Sequence, residues 1–227
     1  MKFFGKFEKD NTGKIYRTKT FMSLNEDSLL DEPEENDILG TIFMLNPGGS
    51  RPLGSIEANP FQDYNFGTYV GLEPDKTMVV YQEVFELLKK HGKYTSGVIE
   101  IKNLFNFRKS KLTEDDWKFI NDEIAQKENL FNVDNSPKFA GDFVFFAWGT
   151  SKLKNKPIKE YAKQILLKAL GEEKNILYIS SKKKDEAKKL LSFYHPLGGH
   201  WKPEKRKRFN EALYDVFSQL EAVTNFN

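Results

Sequence analysis

The strongest pattern in this chain is a set of short apolar runs, separated by segments in which apolar residues recur every three or four positions. The runs have the length of strands in a buried sheet, and they occupy residues 38–45, 97–101, 143–148 and 176–179. The first run is followed directly by Asn46-Pro47-Gly48-Gly49, and a proline cannot donate to a central strand ladder. The pattern therefore predicts a buried strand that ends abruptly and leaves the polar Asn46 at its exit.

The segments between the runs carry helix start and stop signals. Asp75 can cap a helix that Gly92 ends, Thr113 opens a sequence similar to a capping box, and Pro157 stands at a first-turn position. These signals and the spacing of the apolar residues predict helices over residues 75–91, 113–127, 157–171, 185–193 and 203–220.

Strands that alternate with helices are typical of an α/β protein. We expect a three-layer α/β/α sandwich with a mainly parallel four-stranded central sheet. Residues 1–37 are expected to form an N-terminal extension, with a hairpin around Ile15 to Met22 and an acidic loop over residues 31–37. Residues 38–227 are expected to form a single α/β domain.

Composition narrows the classes of protein that fit. The chain has 227 residues, 39% of them hydrophobic, which suits one sizeable core. It has no cysteine, so disulfides and cysteine-built zinc or iron–sulfur sites are excluded, and its three histidines lack the spacing of a metal motif. No signal peptide or membrane-spanning segment is evident. We therefore expect a cytoplasmic monomer without metal, other cofactor or membrane partner.

The charge is unevenly distributed along the chain. Residues 151–208 hold 17 Lys and Arg against 6 Asp and Glu, although the net charge of the whole chain is only +2. Such a stretch can bind a polyanion such as a nucleic-acid backbone, or it can form a solvated lysine-rich surface.

Polar residues follow several of the predicted strands. Asn46, Asn103 and the Trp148-Gly149 pair come just after three of the apolar runs, and His195 follows the fourth. The carboxyl ends of parallel strands share one edge of a sheet, and ligand sites of open α/β sheets form in the crevice outside that edge. We therefore expect these residues to converge.

In their order and placement these residues resemble the uracil-DNA glycosylase superfamily, in particular its mismatch-specific members and a branch of bacterial and phage proteins within or near it. The resemblance covers residues 38–200. It implies that Asn46 positions the attacking water, that Asn103 reads the base edge, and that the loop His195-Pro196-Leu197 polarises the base and enters the minor groove.

The resemblance also implies further site residues. Gly48 stands where strict uracil enzymes carry a tyrosine that blocks a 5-methyl group, and the aromatic that stacks on the base is Phe61, Tyr64 or Phe66. Leu197 replaces a serine that grips a phosphate in many members. The implied catalytic residues are Asn46 and His195, and the implied base-binding residues are Gly48, Phe61 and Asn103. The implied DNA contacts are Arg108, Lys182, Lys183, Lys184, Leu197, Gly198, Lys202 and Arg206.

We expect a hydrolase that removes uracil, mismatched thymine or a modified pyrimidine from DNA, either from a duplex with the base flipped out or from a single strand. Positive charge develops on the sugar while negative charge develops on the departing base. An amide such as that of Asn46 cannot act as a general base, so we expect a slow enzyme that works mainly by positioning, unless Asp63 or Asp75 assists. Two alternatives stay open: a catalytically weak module that binds nucleic acid or a nucleobase, and an enzyme that acts on free nucleosides or nucleotides.

Overall fold

One mixed sheet of eight strands organises the part of the chain that the structure describes. The computed structural model describes residues 1–25, 32–56, 58–126, 132–134, 137–148, 156–172, 174–179 and 203–224. The strands are β1 (Lys2–Lys9), β2 (Ile15–Ser23), β3 (Ile38–Met44), β4 (Arg51–Pro52), β5 (Tyr69–Glu73), β6 (Val98–Asn103), β7 (Phe143–Phe146) and β8 (Asn175–Tyr178). They lie in the order β4-β5-β1-β2-β6-β3-β7-β8.

The expected fold class, a sandwich around a mainly parallel four-stranded sheet, is wrong. Strands β6, β3, β7 and β8 pair in parallel, but the other four strand pairs, β4–β5, β5–β1, β1–β2 and β2–β6, are antiparallel. The physical reason lies near the N-terminus. Strands β1 and β2 form a hairpin, and β2 continues the sheet through β6, so residues 2–23 belong to the same sheet as the later strands. The division of the chain at residue 37 stays a prediction.

Helices cover both faces of this sheet. They are α1 (Lys76–Lys90), α2 (Glu114–Gln126), α3 (Lys156–Gly171) and α4 (Pro203–Thr224). Because side chains alternate along a strand, β3 serves two cores: Ile42 packs in the cluster that contains α1 and α4, and Phe43 packs in the cluster that contains α2 and α3. The helix predicted over residues 185–193 lies outside the described residues. No described helix has both the length and the apolar character needed to cross a membrane.

Phe217 fixes α4 against the sheet. Its ring is fully buried, with centroids 4.8 Å from Phe85 on α1, 5.3 Å from Phe143 and 5.4 Å from Phe145 on β7. Aromatic pairs at such separations add to the burial of apolar surface. Phe217 therefore joins α1, α4 and the parallel part of the sheet.

The sheet also contains a buried carboxylate, that of Glu100 on β6, which is 6% exposed. Lys102 Nζ lies 3.2 Å from Glu100 Oε1, and Thr41 Oγ1 donates to Oε2 at 3.4 Å. Burial raises the pKa of Glu100 more than the nearby lysines lower it.

Candidate functional site

Two asparagines lie at the carboxyl edge of the parallel strands. Met44, the last residue of β3, is opposite Asn103, the last residue of β6, and the amide of Leu104 donates to Met44 O at 2.9 Å. Asn46 follows two residues after the end of β3. The structure therefore brings Asn46 and Asn103 to the same edge of the sheet from distant parts of the chain.

The carboxamide of Asn103 has an acceptor that no described residue engages. The residue is 7% exposed, and its buried Oδ1 makes no hydrogen bond to the described residues. Asn46 is half-buried, and its Nδ2 donates a long 3.4 Å hydrogen bond to Lys109 O. A buried acceptor without a donor costs about 1–3 kcal/mol, so Asn103 Oδ1 is a group that a bound donor would satisfy.

The turn after β3 lies against the carboxylate of Asp75 at Gly48. Gly48 has a φ of 65°, and a Cβ at this position would lie 2.3 Å from Asp75 Oδ2. Asp75 Oδ1 caps α1 by accepting hydrogen bonds from the amides of Thr77 at 2.9 Å and Met78 at 3.0 Å. One carboxylate oxygen therefore caps the helix while the other touches the loop that carries Asn46. This contact requires glycine at position 48.

Two arginines converge on Ser50, at the end of the same loop. Arg17 on β2 is fully buried, and its Nη1 donates to Ser50 Oγ and lies 3.7 Å from Met78 Sδ. Arg108 donates from Nε to Ser50 O at 2.7 Å and from Nη2 to Gly49 O at 2.8 Å. The loop of residues 46–50 is therefore held by two guanidinium groups.

Burial is the main cause of the lowered pKa of both arginines. It lowers the pKa of Arg17 to about 10; nearby Asp75 raises this pKa and Arg108 lowers it. Burial also lowers the pKa of Arg108, as does Arg51, whereas Asp75 raises it. Both guanidinium groups stay protonated at neutral pH, so positive charge is concentrated beside the N-terminus of α1.

The three candidate stacking aromatics share one cluster. Phe61 packs edge-on against Phe7 at 4.9 Å and lies nearly parallel to Phe66 at 6.0 Å, and Tyr64 contacts both Phe61 and Phe66. The guanidinium carbon of Arg108 lies 4.9 Å from the centre of the Phe61 ring. Phe61 is therefore linked to the loop of residues 46–50 through Arg108.

Of the residues predicted from the sequence, Asn46, Gly48, Asn103 and Arg108 come together around this edge. Trp148, which also follows a strand, is fully buried against Phe146 in the core. Several predicted residues lie outside the described part of the chain: Lys182, Lys183, Lys184, His195, Leu197, Gly198 and Lys202. Arg206 belongs to α4, but its side chain is not among those described.

Arg17 and Ser50 were not among the residues predicted from the sequence. In the sequence, Arg17 and Lys19 alternate with Thr18 and Thr20, which suggests that both basic residues point to solvent. In the structure Lys19 pairs with Lys6 but Arg17 pairs with Phe7, so β2 holds one extra residue between them. A shift of one residue turns a side chain to the other face, and Arg17 therefore points into the core.

No group of three or more His, Cys, Asp or Glu residues in the described ranges could hold a metal ion. No family model matches the chain, and no significant match was found among curated proteins or solved structures.

Proposed function

We propose that the protein hydrolyses the N-glycosidic bond of uracil, mismatched thymine or a modified pyrimidine in DNA. The observation that carries the proposal is the buried Oδ1 of Asn103, which has no partner among the described residues and lies one strand away from Asn46 at the same sheet edge. Uracil and thymine present an N–H donor beside carbonyl acceptors. A carboxamide offers the complementary acceptor and donor. Asn103 is therefore suited to reading such a base, and the base would satisfy its acceptor.

The proposed chemistry needs groups that stabilise two developing charges, a positive charge on the sugar and a negative charge on the departing base. Asn46 orients the attacking water. Asp75, whose Oδ2 is next to Gly48, supplies the carboxylate that an amide cannot replace. It stabilises positive charge on the sugar while the N-glycosidic bond breaks and the base leaves with the electron pair, and it then accepts the proton that the water loses as its oxygen bonds to C1′. His195, by the resemblance, donates a hydrogen bond to the base carbonyl.

The experiment is release of free base from oligonucleotides that carry uracil, thymine opposite guanine, or a 5-substituted pyrimidine, as duplexes and as single strands. We expect Asn46→Ala and Asn103→Ala to lower the release rate about 100-fold, because each removes a group that positions water or base. Asn121→Ala is the matched control. It also removes a carboxamide whose buried Oδ1 has no partner in the described part of the chain, but from α2 on the other face of the sheet.

Equal losses in the Asn46, Asn103 and Asn121 variants would contradict the proposal, since they would report damage to the fold alone. Release from free nucleosides but not from DNA would move the function to a small-molecule hydrolase. Absence of release with DNA binding retained would favour a binding module without turnover.

A further inference from the structure

Arg17 is a buried cation whose hydrogen-bonding capacity is only partly used. A guanidinium carries five N–H donors in a rigid planar fork. The side chain of Arg17 is fully buried, and neither its Nε nor its Nη2 has a hydrogen-bond partner among the described residues. A charge removed from water without matched acceptors is unfavourable. The free donors of Arg17 would therefore be satisfied by a ligand that offers several acceptor oxygens.

The groups around Arg17 favour an anion. Arg108 lies close enough to Arg17 to repel its charge, and Arg51 lies close enough to Arg108 to do the same. Asp75 attracts the charges of both Arg17 and Arg108. Glu73 is already engaged by Arg51, whose Nε lies 2.7 Å from Glu73 Oε2. Asp75 is therefore the acidic group that Arg17 and Arg108 share, and the cluster of these five residues carries an excess of one positive charge.

The N-terminus of α1 adds to this preference. Arg17 Nη1 contacts Met78 Sδ in the first turn of this 15-residue helix, so the buried guanidinium lies beside the helix start. The amides of Thr77 and Met78 are already capped by Asp75, so this N-terminus contributes its helix dipole and not free amides.

We propose that Arg17, the Ser50 hydroxyl and Arg108 form a subsite for a phosphate group of the nucleotide substrate. This inference rests on the proposed function and extends it. A phosphate offers oxygens that match the fork of an arginine and a neighbouring hydroxyl, whereas the base edge is left to Asn103.

The position of Arg17 relative to Asn103 fits a nucleotide. Strand β2 is the neighbour of β6, and the amide of Arg17 donates to Asn106 O at 2.9 Å, so Arg17 lies beside the segment that follows Asn103. Arg17 pairs with Phe7 and Asn103 pairs with Met44, and both partners belong to the core on the α1 face. Paired residues point to the same face, so Arg17 and Asn103 lie on one side of the sheet. A base at Asn103 would leave its sugar and phosphate near Arg17.

The phosphate can come from two sources: a phosphodiester next to the extracted base in DNA, or the 5′-phosphate of a free nucleotide. Calorimetric titration at low salt distinguishes them. The probes are inorganic phosphate, deoxyuridine, deoxyuridine 5′-monophosphate, and a short oligonucleotide with one deoxyuridine. The oligonucleotide is tested with normal phosphodiesters and with neutral methylphosphonates on either side of the deoxyuridine.

We expect Arg17→Met to weaken binding of the phosphate-bearing probe at least about tenfold, because it removes charge-assisted hydrogen bonds, and to leave deoxyuridine binding unchanged. Ser50→Ala should weaken the same probe by a smaller factor. Arg51→Met is the matched control, since it removes the same charge from the cluster but from a side chain that is paired with Glu73. The control should change binding less than about threefold. If the phosphate comes from DNA, Arg17→Met should weaken binding of the normal oligonucleotide but not of the oligonucleotide with methylphosphonates. If it comes from a free nucleotide, Arg17→Met should weaken binding of deoxyuridine 5′-monophosphate alone.

Circular dichroism checks that each variant folds. If Arg17→Met does not, Arg17→Lys keeps the charge without the fork and should lose part of the phosphate affinity. The proposal is overturned if wild type binds neither the monophosphate more tightly than deoxyuridine nor the phosphodiester oligonucleotide more tightly than its methylphosphonate form, or if Arg17→Met and Arg51→Met weaken phosphate binding equally. Base release is not measured in this experiment. If phosphate binding depends on Arg17 but no base is released, the subsite is supported and the proposed function is not. If base is released equally well without Arg17, only the subsite is rejected.

Discussion

Replacing Gly48 with alanine tests the contact that ties the candidate site to α1. Gly48 has a φ of 65°, and its new Cβ would lie 2.3 Å from Asp75 Oδ2, a distance that atoms do not tolerate. Either the loop of residues 46–50 or the Asp75 side chain must move. Because Asp75 Oδ1 caps α1 through the amides of Thr77 and Met78, movement of this side chain weakens the helix start.

The cost has two parts. A left-handed backbone conformation costs an alanine about 1–2 kcal/mol. Loss of an N-cap costs about 0.5–2 kcal/mol. We therefore expect Gly48→Ala to lower the free energy of unfolding by about 1.5–4 kcal/mol. Gly54→Ala is the matched control, since Gly54 has a φ of 75° but no described atom lies within 4 Å of the position that its Cβ would take, so only the backbone cost applies.

Urea unfolding followed by circular dichroism measures these differences in wild type and in an Asp75→Ala background. If the reasoning is correct, Gly48→Ala costs more than Gly54→Ala in wild type, and the two cost the same once Asp75 is removed. Equal costs in wild type would refute the argument. So would an excess cost of Gly48→Ala that persists without Asp75. Base release by Gly48→Ala should fall as well, because the same loop positions Asn46.

Two further predictions concern the core. Burial raises the pKa of Glu100, so the folded protein keeps this proton to higher pH than the unfolded chain, and the stability it contributes is lost as pH rises through the raised pKa. The difference in unfolding free energy between Glu100→Gln and wild type should therefore grow as pH rises above about 4.5, the ordinary pKa of a glutamate, by at most about 1.4 kcal/mol per pH unit; a difference that is constant with pH would contradict this. Phe217→Ala should lower the free energy of unfolding by about 3–5 kcal/mol in the same urea assay, because α4 loses its ring contacts with α1 and β7. A change below about 1 kcal/mol would mean that Phe217 does not hold α4 in place.

Local signals were sufficient for the helices in the part of the chain that the structure describes. The helix predicted over residues 75–91 is Lys76–Lys90, and the one predicted over residues 113–127 is Glu114–Gln126. Caps such as Asp75 act on amides two or three residues away, so the sequence contains the information that sets these ends.

Sheet pairing could not be predicted in this way, because the partners of a strand lie far along the chain. Strand β2 pairs with β6, about 80 residues later, and nothing in the local sequence of Ile15–Ser23 specifies that partner. Strand β1 contains adjacent buried Phe3 and Phe4, which do not follow a strict alternation. A hairpin around Ile15 to Met22 was predicted, but its place in the main sheet was not, and for that reason the expected fold class was wrong.

The candidate site depends on that antiparallel half. Asn46 and Asn103 could be placed together from the sequence, because both follow apolar runs, and the ends of parallel strands meet at one edge. Arg17 could not, since its inward orientation follows from one extra residue in β2 opposite Lys6 and Phe7. The hairpin of β1 and β2 thus brings a buried charge to the edge where the parallel strands end. The side chains proposed to bind the base belong to the parallel strands, whereas the deepest proposed phosphate ligand belongs to the segment predicted to be an extension.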